Sequence, residues 1–499
     1  MAKSSPEISL TFIKLDANAA KPLYRQICQQ IREAVLNGML KHGDRMPATR
    51  MLAKDLQISR NSVVQAFEQL TLEGYLNSKT GAGTYICEQM TGAVVKTKRV
   101  KLVVPVPDEN TERFTPAVNI PEHGKYVIKD CGFEGVVPFL TSPSFENFPF
   151  AVWSKIASGI YRDIDALHLG YDHGQGYLPL REELAGHLRI NRSINCTADQ
   201  IVIVNGSRQA LHLLTEMFLK KGDQCWVEDP GYAGIKSAIS RFKGVICPVP
   251  VTEKGIDVDY ATLHYPKAKM AYITPSHQFP LGITMPLMER MKLLQHAEKS
   301  GMLIIEDDYD SEFRYNGRPL PALKGLDKRG HVFYAGTFSK VLFPALRIGY
   351  VVMPTAEMAQ QLSFIKAITD RQNPVIDQAI LCEFIRQGHF ARHLRRMRNL
   401  YKKNQDELVL LLKKHLGNDI VIDAGDAGMH FIVHFPDENH AAAIRKYANA
   451  EKLTLIPVED LSIQFKVKNS FLMGFTGFTQ EQMEKAVGLL KEIMHRKIT

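Results

Sequence analysis

Signals for membrane insertion and export are missing from this sequence. No run of apolar residues approaches the roughly 18 that a transmembrane helix needs. The first residues, MAKSSPEISLTF, have neither the apolar core nor the cleavage site of a secretory signal. The seven cysteines are scattered and never form a CxxC pair, which is typical of reduced thiols. We therefore predict a cytoplasmic protein with no membrane partner and no metal site.

The composition is that of a soluble globular protein with several domains. At 499 residues the chain is too long for one ordinary core, because single cores stop growing at about 250–300 residues. Its 45% hydrophobic and 23% charged residues are ordinary values. The net charge of +9 suits a polyanionic partner, but proteins without such a partner also reach this value. Charge alone leaves the partner open.

The local pattern changes along the chain. Residues 1–17 form a loose lead-in, and residues 19–87 are dense in helical periodicity. Residues 88–124 mix proline, charge and β-branched residues without a sustained period, which indicates an interdomain linker. Residues 125–499 alternate helical stretches with short apolar strands, and a small subdomain is expected over about 365–499.

The strands of this last region predict an α/β fold. The apolar candidates are 200–204, 224–229, 269–274, 302–307, 331–336 and 348–353. Strands separated by helices indicate a mostly parallel, doubly wound sheet. Ligands of such sheets bind at the carboxyl ends of the strands, so we look for functional residues there.

The first region predicts a winged helix-turn-helix. Apolar spacing and turn residues give helices over 21–36, 49–57 and 61–74, followed by a β-hairpin over 75–86. Thr49, after Pro47, is expected to cap the second helix and Ser59 the third. This order of elements is that of a winged helix.

The third helix is the predicted reader of double-stranded DNA. Its exposed face would carry Arg60, Asn61, Ser62 and Gln65, with Ser59 and the helix N-terminus suited to phosphate oxygens. The opposite face would pack inward through Val63, Val64, Phe67 and Leu70. Lys79 and the Gly81–Gly83 tip would let the wing approach the DNA backbone. The alternative is a small helical oligomerisation module with a solvated basic face.

The whole stretch resembles the GntR-family winged-helix domain. The matching pieces are PxxR ending at Arg50, LA at 52–53, SRN at 59–61, LxxEGYL at 70–76 and GxGT at 81–84. The resemblance implies DNA contacts from Arg50, Ser59, Arg60, Asn61 and Gly81. Lys79 replaces the usual wing arginine, which keeps the charge but loses the planar fork.

A lysine loop over 336–350, GTFSKVLFPALRIGY, suits aldehyde chemistry. Lys340 could form a Schiff base, Thr337 and Ser339 could hold a phosphate, and Arg347 could neutralise that phosphate. Taken alone, the pattern also fits an exposed lysine with no special role.

Three further pieces follow strands in the right order. In VNGSRQAL (204–211) the amides of Gly206, Ser207 and Arg208 would cradle a phosphate at a helix N-terminus. In EDPGY (228–232) Tyr232 could stack on a ring. In IIEDDYDSEF (304–313) Asp307 could pair with a protonated pyridine nitrogen and Tyr309 with a phenolic oxygen. Each has a bland alternative, namely a capped helix, a turn tyrosine or a surface acid pair.

Together these pieces resemble the fold-type-I pyridoxal-phosphate aminotransferases from about residue 170 to the end. The strings DHGQGYLPLREELAGHL, TPSHQFPLG, EDDYDSEF, GTFSK and GHFARHLRRMRNLY are similar to the MocR/GabR regulators. In that subfamily a linker joins a GntR-type domain to this domain. The resemblance implies a pyridoxal 5'-phosphate Schiff base on Lys340, and a homodimer with swapped DNA-binding heads.

Several positions depart from the aminotransferase pattern. Phe279 stands where an asparagine contacts the cofactor oxygen, and His277 either shapes the loop or contacts a ligand. Gly477 stands at the position of the arginine that holds a substrate carboxylate, and neither Ala233 nor Gly234 supplies the arginine of the γ-aminobutyrate sensor. These departures argue against ordinary transamination and against γ-aminobutyrate as effector.

Three functions stay open at this point. The first is a DNA-binding regulator whose aminotransferase-like domain senses a small-molecule effector, with at most residual transaminase activity. The second is a working aminotransferase with an accessory DNA-binding head. The third is a regulator that senses pyridoxal phosphate itself. The basic run 392–403 is either a solvated helix face or a second nucleic-acid surface.

Overall fold

The structure, a computed structural model, describes residues 10, 12–16, 19, 21–79, 83–87, 139–165, 169–171, 174–316, 321–448 and 450–496. These residues belong to two units, one within 1–116 and the other within 117–499. The predicted linker over 88–124 lies outside the described residues, so the domain boundaries stay predictions. Within the described ranges, no helix is long and apolar enough to cross a bilayer.

The first unit has the predicted order of elements. Its helices and strands are α1 (Leu23–Leu36), α2 (Thr49–Asp55), α3 (Arg60–Leu72), β1 (Leu76–Lys79) and β2 (Gly83–Ile86). The two strands pair antiparallel. The helices form one core because each turns its apolar stripe inward, for example Ile31 of α1 and Leu70 of α3, both fully buried. The winged helix predicted from periodicity is confirmed.

Of the two helix caps predicted in this unit, one is wrong and one is confirmed. Ala48, not Thr49, is the N-cap of α2, and no side chain caps that end. Thr49 is already the first helical residue, because the extended backbone that a cap requires falls at Ala48. The predicted cap at Ser59 is confirmed, since its hydroxyl accepts from the Ser62 amide at 3.2 Å.

The lead-in was wrongly predicted to be loose. Leu10 and Ile13 are only 5% and 6% exposed and pack into the core of the first unit. The amide of Lys14 donates to Gln30 Oε1 of α1 at 2.9 Å. Phe12 and Leu15 of the same short stretch are half-buried against this core. A stretch this short does not show where it packs, so the sequence pattern could not indicate that the helices leave a place for it.

The second unit is built on an eight-stranded sheet with the order β3-β10-β9-β8-β7-β4-β5-β6. Its strands are β3 (Ile201–Val204), β4 (Gln224–Asp229), β5 (Val245–Thr252), β6 (Gly255–Ile256), β7 (Met270–Ile273), β8 (Leu303–Asp308), β9 (Val332–Thr337) and β10 (Gly349–Val352). Each of the six predicted strands is confirmed to within two residues. The β5–β6 hairpin at the sheet edge was not predicted, because prolines interrupt its apolar pattern.

Strand direction brings the predicted motifs to one edge. β4, β7, β8 and β9 pair parallel to one another. β10 runs antiparallel to both β9 and β3, so β3 has the same direction as β9. The carboxyl ends of β3, β4, β8 and β9, which carry the motifs, therefore lie at the same edge of the sheet.

Helices cover this sheet and a second, smaller one. The helices are α4 (Phe150–Arg162), α5 (Leu178–Arg192), α6 (Ser207–Phe218), α7 (Ala233–Arg241), α8 (Val258–His264), α9 (Leu287–Ser300), α10 (Leu323–Leu326), α11 (Ala356–Thr369), α12 (Val375–Arg386), α13 (His389–Leu416), α14 (Glu438–Tyr447) and α15 (Gln480–Met494). The smaller sheet has the order β11-β12-β14-β13. Its strands are β11 (Val421–Asp423), β12 (His430–His434), β13 (Ile456–Pro457) and β14 (Ser470–Gly474).

Candidate functional site

The turn from β3 into α6 is the predicted anion cradle. Gly206 is the N-cap of α6 with φ +86°, a conformation that disfavours L side chains. The Arg347 guanidinium lies against it, because a Cβ at Gly206 would stand 3.5 Å from two of its nitrogens. The first amides of a helix have no acceptor within the helix, so Ser207 and Arg208 present theirs here. Gly206, Ser207, Arg208 and Arg347 therefore converge as predicted.

A hydrogen-bond network behind this turn was not predicted. Asn205 Nδ2 and Gln209 Nε2 both donate to Asp370 Oδ2 at 2.6 Å. Asn373 Nδ2 donates to Asn205 Oδ1 at 2.6 Å, and the buried Lys366 Nζ lies 3.0 Å from Asp370 Oδ1. The network fixes the backbone of the turn. No local signal could have indicated it, because its three hydrogen bonds from and to Asn205 and Gln209 join residues more than 160 positions apart in the chain.

Lys340 lies just beyond the end of β9. Its Nζ donates to the carbonyl oxygen of Thr141 at 3.0 Å. In the same loop the Ser339 amide donates to Thr337 Oγ1 at 3.1 Å, so the two predicted phosphate ligands lie next to each other. Lys340 and Ser339 are half-buried. The amine is thus held beside the sheet edge.

Asp307 offers an acceptor without a donor. It is 4% exposed, and its Oδ2 accepts from the Tyr272 hydroxyl at 2.8 Å. Its Oδ1 is buried and has no hydrogen-bond partner within the described part of the chain. Burial raises the pKa of this carboxyl to about 7. A buried oxygen of this kind is costly unless a ligand supplies a donor, and the N–H of a protonated pyridine is such a donor.

The two predicted tyrosines complete the edge. The Tyr232 hydroxyl accepts from Arg208 Nε at 3.1 Å, which links β4 to the anion cradle. The ring of Phe279 stands edge-on to both Tyr232 and Tyr309, with 6.0 Å between centroids in each case. Burial raises the pKa of Tyr309 well above its usual value, so its hydroxyl keeps its proton. The predicted ring-binding residues are therefore brought together around Phe279.

Position 234 explains how Tyr232 is placed. A Cβ at Gly234 would stand 2.3 Å from Cε1 of Tyr232. No side chain fits there unless the tyrosine ring moves. Glycine at 234 therefore leaves room for the tyrosine ring. It also means that this position has no arginine of the kind expected in the γ-aminobutyrate sensor.

Phe279 has both apolar and polar neighbours. It packs against a group of apolar residues that we call the Phe279 cluster: Leu281, Ile432, Ile456, Val458, Val467 and Leu472. Its ring centroid also lies 5.8 Å from that of His430 and 6.0 Å from those of Tyr232 and Tyr309.

The missing carboxylate clamp was predicted at Gly477, where a Cβ would stand 3.3 Å from the Ser142 carbonyl oxygen. The β14 residue that shares a cluster with Phe279 is instead Leu472, 1% exposed. Neither position carries a cation.

The lysines nearest along the chain to the segment 472–478, Lys466 and Lys468, are on the surface. Lys466 is 54% exposed and pairs with Glu459 at 3.3 Å. Lys468 is exposed as well. Neither is buried as a carboxylate clamp would be.

The predicted DNA-reading face is accessible in the first unit. Arg50 of α2 is exposed, as are Ser59, Arg60, Asn61 and Gln65, whereas Ser62 is half-buried. On the opposite face Val63, Phe67 and Leu70 are buried and Val64 is half-buried. Lys79 is the last residue of β1, but its side chain lies outside what the structure describes, and so does Gly81.

Arg45 was missed in the sequence. It forms a β-bridge with Tyr85 of β2, and a Cβ at Gly83 would stand 3.1 Å from its Nε. This places a guanidinium beside Gly83, next to the turn of the wing. Arg45 belongs to the loop GDRMP before α2. That loop meets the wing only because β2 folds back beside it, which the sequence pattern does not show.

The basic run 392–403 lies on the long helix α13. Arg398 Nε donates to the Glu312 carbonyl oxygen at 2.6 Å. Lys402 pairs with Asp406, and Lys403 Nζ lies 3.6 Å from Glu407. Partners within one turn favour a solvated helix face over a second nucleic-acid surface.

Comparisons with known proteins agree with both halves of this description. Residues 23–86 match the gntR family of bacterial regulatory proteins, and residues 161–490 match aminotransferase class I and II. The chain is 33% identical to the probable rhizopine catabolism regulatory protein MocR of Rhizobium meliloti, over 96% of this chain and 94% of that protein. It is 31% identical to the pyridoxine biosynthesis transcriptional regulator PdxR of Corynebacterium glutamicum, over 78% and 79% of the two chains.

The fold of the second unit also has solved counterparts. One is the kynurenine aminotransferase of Pyrococcus horikoshii, solved in complex with PMP. It is 26% identical, with a TM-score of 0.67 over 75% of this chain and 94% of that one. The chain therefore belongs to the MocR-type family of regulators, in which a gntR-family domain precedes an aminotransferase class I and II domain.

Proposed function

We propose that this protein is a transcription regulator that binds an operator through its first unit and pyridoxal 5'-phosphate through its second. The observation that carries the cofactor half is the unpartnered, buried Oδ1 of Asp307. It lies at the sheet edge that also carries Lys340 and the Gly206 turn. This donor set fits a phosphorylated pyridine aldehyde. The relatives MocR and PdxR are both named as regulators, which supports the DNA half.

Each residue of the edge has a proposed role. Lys340 binds the aldehyde carbon, Asp307 accepts from the pyridine N–H, Tyr232 stacks on the ring and Tyr309 donates to the phenolic oxygen. The phosphate is held by six residues: Gly206, Ser207, Arg208, Thr337, Ser339 and Arg347. When bound, pyridoxal phosphate supplies an aldehyde that condenses with primary amines.

Sensing is favoured over turnover. A substrate carboxylate is best held by the planar fork of an arginine, and neither Gly477 nor Leu472 supplies one. We therefore propose an effector that does not depend on such a clamp, and hold an amine without a carboxylate as the first candidate. Pyridoxal phosphate itself is the second candidate, because the cofactor edge is complete and one relative is named a pyridoxine biosynthesis regulator.

The DNA half is proposed on the exposed face of α3. Arg60 and Asn61 stand at its N-terminal end, which is the end that enters the major groove in this fold. Arg50, Ser59, Ser62, Gln65, Lys79 and Gly81 complete the proposed contact set. A homodimer with swapped heads, implied by the family resemblance, would present two such helices to one operator. We place the regulator in the cytoplasm, where its DNA is.

The test is operator binding by the full-length protein. A duplex selected from a randomised pool by the wild-type protein serves as the operator. Arg60→Ala should cost about 1–3 kcal/mol of affinity if the residue reads a base. Arg395→Ala, an exposed arginine of α13, is the matched control and should leave affinity unchanged. Equal losses in both variants, or none in either, would contradict the proposed interface.

The link between cofactor and DNA needs a second comparison. Wild-type protein with and without pyridoxal phosphate should differ in operator affinity, whereas Lys340→Ala should not respond to it. Turnover of amino acids to keto acids without any effect on DNA binding would favour the aminotransferase alternative.

A further inference from the structure

His277 is a polar side chain of the second unit that the proposed function has not used. It belongs to the turn TPSHQFPLG after β7 and is 3% exposed. Its Nδ1 lies 2.9 Å from the Tyr309 hydroxyl and 3.0 Å and 3.2 Å from the two carboxylate oxygens of Asp310. One ring nitrogen therefore meets three oxygens from the segment that follows β8.

The chemistry of these groups assigns the hydrogen. Both carboxyl oxygens of Asp310 lie within 3.2 Å of Nδ1, and a carboxylate accepts through both, so we take Nδ1 to carry the hydrogen and to donate it. The Tyr309 oxygen, 2.9 Å from the same nitrogen, accepts the other branch of this shared hydrogen bond. Its own proton is then not directed at His277 and remains available for another acceptor. Tyr309 is thus oriented as a donor.

Two glycines hold the imidazole in this position. A Cβ at Gly428 would stand 2.0 Å from Cε1 of His277, and a Cβ at Gly282 would stand 3.2 Å from Nε2. Gly428 is itself fixed, because its amide donates to the Phe313 carbonyl oxygen at 2.9 Å. The ring cannot move toward Gly428, which lies just before β12 of the smaller sheet.

We infer that His277 is a positioning residue which, supported by Asp310 and packed against Gly428, aims the Tyr309 hydroxyl proton at the phenolic oxygen of bound pyridoxal phosphate. The inference rests on the proposed cofactor site. It also gives a reason for Phe279: with no polar group at that position, the oxygen depends on Tyr309 as its donor. His277 compensates by fixing the direction of that donor.

The experiment is a double-mutant cycle on the affinity of the full-length protein for pyridoxal phosphate. His277→Leu should weaken binding about three- to tenfold, the worth of one hydrogen bond. In a Tyr309→Phe background the same change should have less than about a twofold effect, because the hydroxyl to be aimed is gone. His277→Asn, which keeps an N–H near the position of Nδ1, should restore most of the affinity.

A spectroscopic readout separates positioning from a general loss of structure. His277→Leu should change the ratio of the absorbance bands near 420 nm and 330 nm in the loaded protein, since these report the protonation of the bound cofactor. His277→Asn should return the ratio toward the wild-type value.

Two outcomes would overturn the inference. One is additive losses in the cycle, and the other is an asparagine variant as weak as the leucine variant. The thermal midpoint of each cofactor-free variant shows whether it folds. If wild-type protein does not trap the cofactor at Lys340, the proposed function fails; if it does and the cycle is additive, only the role of His277 fails.

Discussion

The carboxyl edge of the large sheet carries a lysine, a buried carboxylate, two tyrosines and a helix N-terminus, whereas the segment 472–478 of the smaller subdomain carries no arginine. The first region holds the residues proposed to bind the cofactor. The second is the segment in which an aminotransferase would carry the arginine that holds a substrate carboxylate, and glycine stands there at 477. That combination suits a sensor better than a transaminase.

The largest expected effect concerns Lys340. Lys340→Ala should abolish the label that borohydride fixes at this position in the loaded protein, because no other group there forms a bond to the aldehyde carbon. Peptide mapping by mass spectrometry measures it. Lys466→Ala, a change at an exposed lysine of the same unit, should keep the full label. Equal labelling of both variants would show that Lys340 is not the residue that binds the aldehyde.

The next effect concerns the unpartnered oxygen of Asp307. Asp307→Asn should weaken pyridoxal phosphate binding about 10- to 100-fold, since a hydrogen bond to a charged group contributes about 1.5–3 kcal/mol. Equilibrium dialysis of the full chain gives the dissociation constant. An affinity within twofold of wild type would mean that the pyridine nitrogen does not meet this residue.

A smaller effect is expected in the pH dependence of stability. Burial raises the pKa values of Asp307 and Glu228 to about 7 in the folded chain. The folded state then binds more protons than the unfolded state between about pH 4 and 7, so stability falls as pH rises through this window. The thermal midpoint of cofactor-free protein should decline from pH 5 to pH 7.5.

Asp307→Asn should flatten this decline, because it removes one of the buried carboxyl groups whose pKa is raised. Saturating pyridoxal phosphate should flatten it in the wild type, since a donor on Oδ1 stabilises the ionised carboxylate. A slope that is the same in wild type, variant and loaded protein would show that burial of Asp307 does not control it.

The smallest effect is expected from amino acids added as effectors. Alanine, glutamate and γ-aminobutyrate at millimolar concentration should leave both the absorbance spectrum and operator binding unchanged, because no fork holds their carboxylates. Ethanolamine, an amine without a carboxylate, is the matched probe and should shift the spectrum. Rapid spectral change with alanine, together with keto-acid formation, would promote the aminotransferase alternative.

Much of the fold could be predicted because its signals are local. Periodicity indicated the three helices of the first unit, and short apolar runs indicated six strands of the large sheet. The cap at Thr49 was wrong because the helix start depends on backbone angles that one residue type does not decide. The buried lead-in was missed because the apolar stretch that contains Leu10 and Ile13 is too short to show where it packs.

The candidate site divides in the same way. Gly206, Lys340 and Asp307 stand directly at strand ends, so strand prediction located them. The hydrogen-bond partners around these residues could not be predicted, because a bond such as that from Asn205 to Asp370 joins residues 165 positions apart. The position of Leu472 beside Phe279 depended on how the smaller sheet packs.

The sequence by itself determined the order of the two units, the strands of the main sheet and the residues placed at their ends, since each of these is encoded over a few neighbouring residues. Only the tertiary structure decided that His277 meets Tyr309 and Asp310, and that Arg45 reaches the wing. Such contacts depend on the order of strands in a sheet and on the space left by glycines such as Gly428. Those are properties of packing between distant segments, which no local pattern carries.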